Sequence, residues 1–349
     1  KDCGEIVLRQ DPIESEIDAL MSTMSINEMI AQMTQTAVPT VNCGGFACGS
    51  ALQGGGEYSS NFYSSAWSSK IPVLYGKDNV HGMGDVTNAT IFPHNIGLGA
   101  TRDSALVRRI GEAVAIEMWA AHIDLNFSPA VSVPRDERWG RTYEGYGENP
   151  DLVAAMGAAY VRGLQGDNFD AEWRIISTAK HFLGDGATDK GYDRGNATIS
   201  DDELRAIHLP PYIAAIEQGV QSVMASFNQI NGVHQHVDSL RLTVLLKKEL
   251  GFDGYVIADW EGIENSTTPG AAGNYSGSYT GVSSTDAVKN AINAGRAATA
   301  AGGLGSSTFG GPIGGALTTV VNAGFTIADI RSMEKERQQL LKAGNEREA

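Results

Sequence analysis

Residues 251–260 bring a carboxylate and an aromatic ring together at the end of an apolar segment. Residues 255–258 form a short apolar run with a β-branched pair, entered through a glycine-flanked turn, and this pattern predicts a strand buried on both faces. Asp259 follows directly, where an α/β fold places reactive side chains. Beside Trp260 it suits a sugar site, because the ring stacks on a pyranose while the carboxylate attacks or stabilises the anomeric carbon. The structural alternative is that Asp259 only caps a following helix.

Other polar side chains follow other predicted strands. Asp78 follows the first, the loop 135–144 with Arg141 follows the third, and Lys180 and His181 follow the fourth. Each alone has an ordinary structural explanation, as a turn residue, an ion-pair network or a surface pair. A barrel, however, gathers the loops at the carboxyl ends of its strands around one mouth. Their shared position therefore favours a single site.

The elements that must position these residues alternate along the chain. From residue 71, short apolar runs alternate with longer helical patterns, which predicts βα units around a parallel sheet. The predicted strands are 73–76, 91–92 leading to 97–99, 125–128, 175–178, 222–225 and 255–258. The predicted helices are 14–35 (with a capping box at 25–28), 103–121, 149–165, 200–218, 238–250 and 284–294. Residues 37–68, rich in Gly, Ser and Asn, predict a long surface loop.

Composition excludes several classes of partner. The formal net charge of −15 argues against nucleic-acid or anionic-membrane partners, which need basic surfaces. Hydrophobic residues at 42% and charged residues at 19% are typical of a soluble globular protein. No apolar run approaches the length of a membrane span. Residues 1–4 do not resemble a signal peptide, so we expect that any such segment was never present or has been removed.

The cysteines and glycosylation sequons bear on the compartment. Cys43 and Cys48 bracket a flexible segment that could close a small disulfide, which would leave Cys3 unpaired or bonded outside the chain. Asn-x-Ser/Thr sequons occur at Asn88, Asn126, Asn196, Asn265 and Asn274. Together these features favour a secreted or lumenal protein. No histidine cluster indicates a metal near the cysteines, and no metal or cofactor is expected.

Seven motifs, spread over some four-fifths of the chain, resemble one family in order and spacing. They are YGKDNVHG (75–82), ATIFPHNIGLGAT (89–101), RWGR (138–141), AKHF (179–182), LPPY (209–212), NGV (231–233) and GYVIADW (254–260). Residues from about 14 to 295 thus resemble the N-terminal barrel domain of glycoside hydrolase family 3, the β-glucosidases and β-glucan exohydrolases. The resemblance implies an α/β fold, a (β/α)8 TIM-like barrel.

The resemblance also implies a role for each candidate residue. Asp259 matches the catalytic nucleophile, and Trp260 matches a ring that lines the same pocket. The side chains that match the groups binding the hydroxyls of the non-reducing sugar are Asp78, Arg141, Lys180 and His181. The implied activity is that of an exo-acting retaining β-glycosidase, which hydrolyses a β-linked glucoside or oligosaccharide through a covalent glycosyl-Asp intermediate.

The chain departs from the family at the second carboxyl group, the general acid/base. The resemblance implies that in β-glucosidases this group is a Glu from a second α/β domain. In single-domain N-acetylhexosaminidases it is an Asp-His pair on the loop that follows the Lys-His-Phe motif. Here the loop 184–193 contains no His. The acid is therefore missing, or it is Asp185, Asp189 or Asp193, or a second domain or partner chain supplies it.

A second departure follows residue 295. Residues 296–303 are mostly Ala and Gly and cannot form a packed strand, so we expect a barrel that is incomplete or irregularly closed at its C-terminal end. The predicted organisation is an N-terminal helix and loop (1–70), the barrel (71–295) and a degenerate tail with terminal helices (296–349). This departure keeps an alternative open, a non-catalytic barrel that acts as a carbohydrate-binding or structural subunit. An N-acetylhexosaminidase is a more distant reading, since its His is absent.

Overall fold

A computed structural model describes residues 17, 19–37, 42–43, 46–47, 50–52, 71, 73–84, 86–169, 173–260 and 262–263. Within these residues, seven strands form one sheet in which all neighbouring strands are parallel. In chain order, β1 to β7 are Gln35–Ala37, Ser50–Leu52, Leu74–Lys77, Leu125–Asn126, Ile176–Phe182, Ser222–Ala225 and Tyr255–Ile257. Their order across the sheet equals their order in the chain, as in a βα barrel. The predicted fold class is confirmed over these strands.

Helices occupy the connections between the strands. The α-helices α1 to α6 are Ile26–Gln32, Asn95–Thr101, Ser104–Ala120, Pro150–Gln165, Asp201–Glu203 and Pro210–Glu217. π-Helical segments cover Leu204–His208 and Leu240–Glu249. Single 3₁₀ turns cover Thr142–Glu144, Asp167–Phe169, Asp185–Ala187, Asp189–Gly191 and Gln235–Val237. Two small sheets pair Asn42–Cys43 with Phe46–Ala47, and Gln229–Ile230 with both Asn196–Ala197 and Val233–His234.

The two long helices begin where their sequences place capping residues. Asp103 accepts a hydrogen bond from the N–H of Leu106 at 2.9 Å, and α3 starts at the next residue. Asn149 does the same for Leu152 at 3.0 Å, with Pro150 as the first residue of α4. Their apolar faces pack together over the central strands, which are buried on both sides. α4 also contacts β5, the strand that contains Lys180 and His181.

The predicted strand from 91–92 to 97–99 is wrong. Ile91 makes only an isolated antiparallel bridge to Gly82, and the glycine-rich segment that follows is the helix α2. The buried residues of α2 are Asn95, Leu98 and Gly99, which have helical spacing, whereas Ile96 is exposed. The two apolar residues before Pro93 are too few to hold a place in the sheet.

The single helix predicted over 14–35 is also wrong, because the chain turns at residues 23–25 and α1 begins after Ser25. The capping box is confirmed, since the Ser25 N–H donates to Glu28 Oε2 at 2.7 Å and the Glu28 N–H to Ser25 Oγ at 3.3 Å. A box of this kind starts a helix, which is why it divides the predicted one. The three-residue strand β1 then follows α1.

The surface loop predicted over 37–68 is wrong in its middle, where β2 pairs with both β1 and β3. The helices predicted over 103–121 and 149–165 are confirmed as α3 and α4, and that over 238–250 is the π-helical segment. The helix 284–294, the degenerate tail 296–349 and the proposed Cys43–Cys48 disulfide lie outside the described residues or their described side chains. The division of the chain at residues 70 and 295 stays a prediction.

Candidate active site

The sequence-predicted site residues lie at the carboxyl ends of the strands. Asp78 comes directly after β3, Lys180 and His181 occupy the last part of β5, and Asp259 lies two residues beyond β7. Arg141 lies in the long loop after β4, at the start of a 3₁₀ turn. Because parallel neighbours end at the same edge of the sheet, residues more than a hundred positions apart in the chain meet there.

An ion pair between a buried lysine and an exposed aspartate joins two of these residues. The Lys180 Nζ donates to Asp78 Oδ1 at 2.6 Å, with the lysine side chain only 3% exposed and the aspartate side chain 58% exposed. Desolvation in the cleft opposes ionisation of Asp78, but the charge and hydrogen bond of Lys180, together with the charge of Arg141, outweigh it and lower the pKa of this carboxyl below its usual value. Asp78 therefore presents an ionised carboxylate to the solvent side of the site, as recognition of hydroxyl groups requires.

Arg141, His181 and Asp259 form a second group in contact with the first. The Arg141 Nη2 donates to His181 Nε2 at 3.0 Å, and His181 Nε2 lies 3.8 Å from Asp259 Oδ2. The guanidinium is held by Glu144, which accepts from Nε at 2.8 Å and from Nη2 at 2.7 Å. Burial alone would lower the pKa of Arg141, but the bidentate carboxylate raises it.

The geometry fixes the state of His181. Its Nε2 accepts from Arg141, so a neutral ring carries its proton on Nδ1, which lies 3.0 Å from Asp185 Oδ2. Burial, reinforced by the Arg141 charge, lowers the pKa of His181 to about 3. The imidazole is therefore neutral at physiological pH and cannot deliver a proton to a leaving group. Its role is to orient its neighbours.

The two oxygens of the Asp259 carboxylate have different surroundings. The N–H of Trp260 donates to Oδ1 at 2.6 Å, and Oδ2 faces His181. The Trp260 bond is not a helix-cap bond, because a capping side chain accepts from the second or third N–H of its helix; the other oxygen points into the polar cluster. The Asp259 side chain is 17% exposed, so solvent still reaches it. The indole of Trp260 is half-exposed beside it.

The three candidate general acids are engaged elsewhere. Asp185 is buried, accepts from Ser132 Oγ at 2.5 Å and the Gly186 N–H at 2.9 Å, and lies behind His181. Burial raises its pKa, although Ser132 and Arg141 oppose this. Asp189 accepts from the N–H and hydroxyl of Thr198, which lower its pKa. Asp193 accepts from the Trp139 indole N–H at 3.2 Å and lies 3.6 Å from Arg194. All three carboxylates thus support loops.

Sequence reasoning missed the side chains that hydrogen-bond to the site residues from the interior of the protein. Glu144 stands three residues after Arg141, a spacing at which an ion pair in a helical turn forms, and this signal could have identified it. Ser132, on a loop 53 residues before Asp185, and His236, whose Nε2 accepts the Asp259 N–H at 3.0 Å, have no comparable local signal. Only the folded chain brings them to the site.

A parallel barrel sheet that gathers carboxylates, two cations and an exposed indole at its carboxyl ends defines the class of carbohydrate-active barrel proteins. The chain belongs to glycoside hydrolase family 3: residues 18–297 match the model of the glycosyl hydrolase family 3 N-terminal domain. The resemblance seen in its motifs is confirmed.

Curated relatives include two enzymes that are each 33% identical to this chain. One is a lysosomal β-glucosidase of Dictyostelium discoideum (71% of this chain, 35% of the relative), and the other a β-xylosidase of Formosa agariphila (71% and 32%). The chain thus spans about a third of the length of the curated relatives it matches.

Solved structures are similar over three-quarters of the chain. A mutant exo-1,3/1,4-β-glucanase from a Pseudoalteromonas species is 44% identical, with a TM-score of 0.69 over 74% of this chain and 46% of that one. A mutant β-glucosidase of Listeria innocua in complex with laminaribiose is 28% identical, with a TM-score of 0.67 over 75% of this chain and 39% of that one. Among the described helices, none is both long enough and apolar enough to cross a bilayer.

Proposed function

We propose that the barrel belongs to an exo-acting retaining β-glycosidase of the β-glucosidase type. The observation that carries the proposal is the arrangement around Asp259, whose Oδ2 lies 3.8 Å from the neutral imidazole of His181 while Arg141 donates to the same nitrogen. Family membership and relatives named as β-glucosidases and a β-xylosidase support it. The Trp260 N–H occupies only Oδ1 of Asp259, and the side chain is partly exposed to solvent, so Oδ2 is accessible to a sugar.

In the proposed reaction, Asp259 Oδ2 attacks the anomeric carbon of the terminal sugar. The bond from that carbon to the glycosidic oxygen breaks, and a general acid protonates the departing oxygen. Water then attacks the glycosyl-Asp ester, gives a proton to the same residue and releases the sugar with retained configuration. Asp78, Lys180 and Arg141 hold the sugar by its hydroxyl groups. Trp260 supplies an apolar face beside it.

We propose a β-linked glucoside or oligosaccharide as the substrate. The laminaribiose bound by the Listeria innocua β-glucosidase mutant, and the 1,3/1,4-β-glucanase activity in the name of the Pseudoalteromonas relative, motivate this choice. We also propose a secreted or lumenal location, in line with relatives named as lysosomal and periplasmic enzymes. We expect no nucleic-acid partner, because the chain is strongly acidic.

The general acid/base is proposed to come from a second domain or a partner chain, as a Glu. The support is that Asp185, Asp189 and Asp193 all hydrogen-bond to their own loops or to neighbouring ones. Asp185 is also separated from Asp259 by the ring of His181. A carboxyl group used in this way cannot approach a leaving-group oxygen beyond Asp259.

The first test is turnover of an aryl β-glucoside by the chain, compared with its Asp259→Asn variant. We expect the variant to lose at least about a thousandfold in kcat, because an amide cannot form the ester. A 2-fluoro glucoside should label the wild-type protein at Asp259, and mass spectrometry of the digest locates the label. A folded wild-type protein that binds glucose but neither turns over nor becomes labelled would instead favour the non-catalytic barrel.

The second test varies the leaving group. If another domain or chain supplies the acid, the isolated chain should hydrolyse dinitrophenyl glucosides, whose leaving group needs no proton. Substrates with poor leaving groups should react about 10²–10⁴-fold more slowly, the usual contribution of general acid catalysis. The measurement is kcat/KM against the pKa of the leaving group. A flat plot would mean that the chain contains its own acid, and substitution of Asp193 would then be the next comparison.

A further inference from the structure

The main chain at Asp259 is held by a histidine outside the sugar-binding set. The ladder between β6 and β7 ends at Ile257, opposite Met224, so the N–H of Asp259 lies beyond the last strand partner. It donates instead to Nε2 of His236 at 3.0 Å. Without such an acceptor the N–H would have no protein partner. The main chain at Asp259 could then rotate and change the direction of its side chain.

His236 is itself held rigidly. The ring is completely buried in the 3₁₀ turn after the hairpin, and it packs against Phe227 with centroids 5.4 Å apart. Arg194 covers the other ring of this pair, with its guanidinium carbon 4.2 Å from the Phe227 centroid. His236 also lies against Gly262, where any Cβ would overlap the imidazole. The main chain at Gly262 is thus fitted to the ring, and the Gly262 N–H donates to the Asp259 carbonyl at 2.9 Å.

We infer that His236 is a positioning residue for Asp259, which it orients by accepting the main-chain N–H of the nucleophile at Nε2. The catalytic part of this inference rests on the proposed function. With His236 behind the backbone and the Trp260 N–H on Oδ1, two hydrogen bonds hold Asp259 in place. His236 contacts the backbone of Asp259 and not its carboxylate, so its effect is on geometry.

The protonation state of the ring agrees with this role. A neutral imidazole that accepts at Nε2 carries its proton on Nδ1. Burial, with a contribution from the charge of His234, lowers the pKa of His236 to about 3, so the ring stays an acceptor throughout the neutral and mildly acidic range. A protonated ring would present a donor to the Asp259 N–H and break the contact.

The experiment compares two amide substitutions that place the acceptor oxygen at different distances from the main chain. His236→Gln places an amide oxygen near the Nε2 position, whereas His236→Asn places it near Nδ1, too short to reach the Asp259 N–H. For His236→Asn we expect kcat and the rate of labelling by a 2-fluoro glucoside to fall about 10- to 100-fold, the effect of a misplaced nucleophile. KM should change less than about threefold, because the sugar contacts remain. His236→Gln should recover most of the loss.

His234→Leu is the matched control. It removes an imidazole two residues away, whose Nε2 contacts Gln229 at 2.9 Å and not the nucleophile, and it should keep kcat within about threefold of the wild type. Equal losses in the Gln and Asn variants would overturn the inference in favour of packing alone, as would an unimpaired Asn variant. Thermal unfolding of every variant shows which are folded.

A readout without turnover separates this inference from the proposed function. In protein labelled with ¹⁵N-histidine, the His236 signal, assigned by its loss in His236→Gln, should be that of a ring protonated on Nδ1 with a hydrogen-bonded Nε2. A ring protonated on Nε2 would refute the contact, whether or not the enzyme is active. Wild-type protein with the expected tautomer but without turnover or labelling would refute the proposed function, and with it the catalytic role, and leave the contact established.

Discussion

At the scale of single residues, the site is a set of charges whose surroundings fix their states. Lys180 is almost fully buried and its ammonium binds the more exposed Asp78, so the lysine is held in place while the aspartate faces solvent. Arg141 has its guanidinium divided between Glu144 and His181. A buried charge is tolerated only with such a partner, and the partners also set the direction of each group. We expect directional binding of hydroxyl groups to depend on residues that never touch the sugar.

Glu144→Gln tests this dependence. The substitution removes the negative charge of Glu144 and one of the two carboxylate oxygens that accept from Arg141. The guanidinium should then be held less firmly, which weakens its hydrogen bond to His181. A charge-assisted hydrogen bond is worth about 1.5–3 kcal/mol, and we expect kcat/KM to fall about 10- to 100-fold, mostly through KM. Steady-state kinetics on an aryl β-glucoside measure the effect. Glu148→Gln, at an exposed position of the same loop, should leave both constants unchanged; a similar loss there would point to a general charge effect.

At the scale of elements, the close packing of α3 on α4 supports the strands that carry the site. Gly111 and Gly163 face each other where the helices cross, and a Cβ on Gly111 would lie 2.9 Å from the Tyr160 carbonyl oxygen. A Cβ on Gly163 would overlap the carbonyl oxygen of Arg108. The helices can approach this closely only because both positions lack side chains. β4 and β5, which flank the Arg141 loop, are covered by this pair.

Gly163→Ala should therefore destabilise the protein even though alanine favours helices. Overpacking against a backbone oxygen cannot be relieved by a rotamer change, and we expect a loss of about 1–3 kcal/mol in the free energy of unfolding. Urea denaturation at neutral pH measures it. Gly97→Ala in α2 is the control, since its nearest neighbour would be Pro93 at 3.8 Å, and it should be neutral or stabilise by up to about 1 kcal/mol. Equal effects at both positions would contradict the packing argument.

At the scale of the whole molecule, three buried histidines couple folding to pH. Burial lowers the pKa of His181 to about 3, of His208 to about 4 and of His236 to about 3. In the unfolded chain each would bind a proton near pH 6.5. The unfolded state therefore binds more protons below that pH, and the stability that is complete above it is lost as the pH falls towards the folded-state values. Asp124 and Asp185, whose pKa values burial raises, act in the opposite direction.

His208→Gln isolates one of these contributions. Between pH 6.5 and 5, the wild-type free energy of unfolding should fall by about 1–2 kcal/mol more than that of the variant, since each pH unit below the unfolded pKa is worth about 1.4 kcal/mol per histidine. Denaturant titrations at several pH values give both curves. Parallel curves for His208→Gln and wild type would show that this histidine does not titrate on unfolding.

The sequence by itself determined the family and the parallel α/β class, because apolar runs and the motifs that follow them are local in the chain. It also proposed six candidate site residues, whose roles stay predictions. The local patterns also located α3 and α4 through their caps. They failed at β1 and β2, since strands of three residues have no periodicity of their own and exist through pairing, β1 with β2 and β2 with β3. They failed at α2 because two apolar residues before a proline resemble a strand until neighbouring packing decides.

Only the tertiary structure decided which groups surround Asp259 and which partners hold the other carboxylates. Asp185 and Asp189 belong to one loop of the sequence and look alike there, yet one is buried behind His181 and the other ties down Thr198 on the surface. Ser132 and His236 reach the site from loops about a hundred residues apart in the chain. Hydrogen bonds and desolvation act through space over a few ångströms, and the distances that govern them are set by how the strands pack, which no spacing along the chain records.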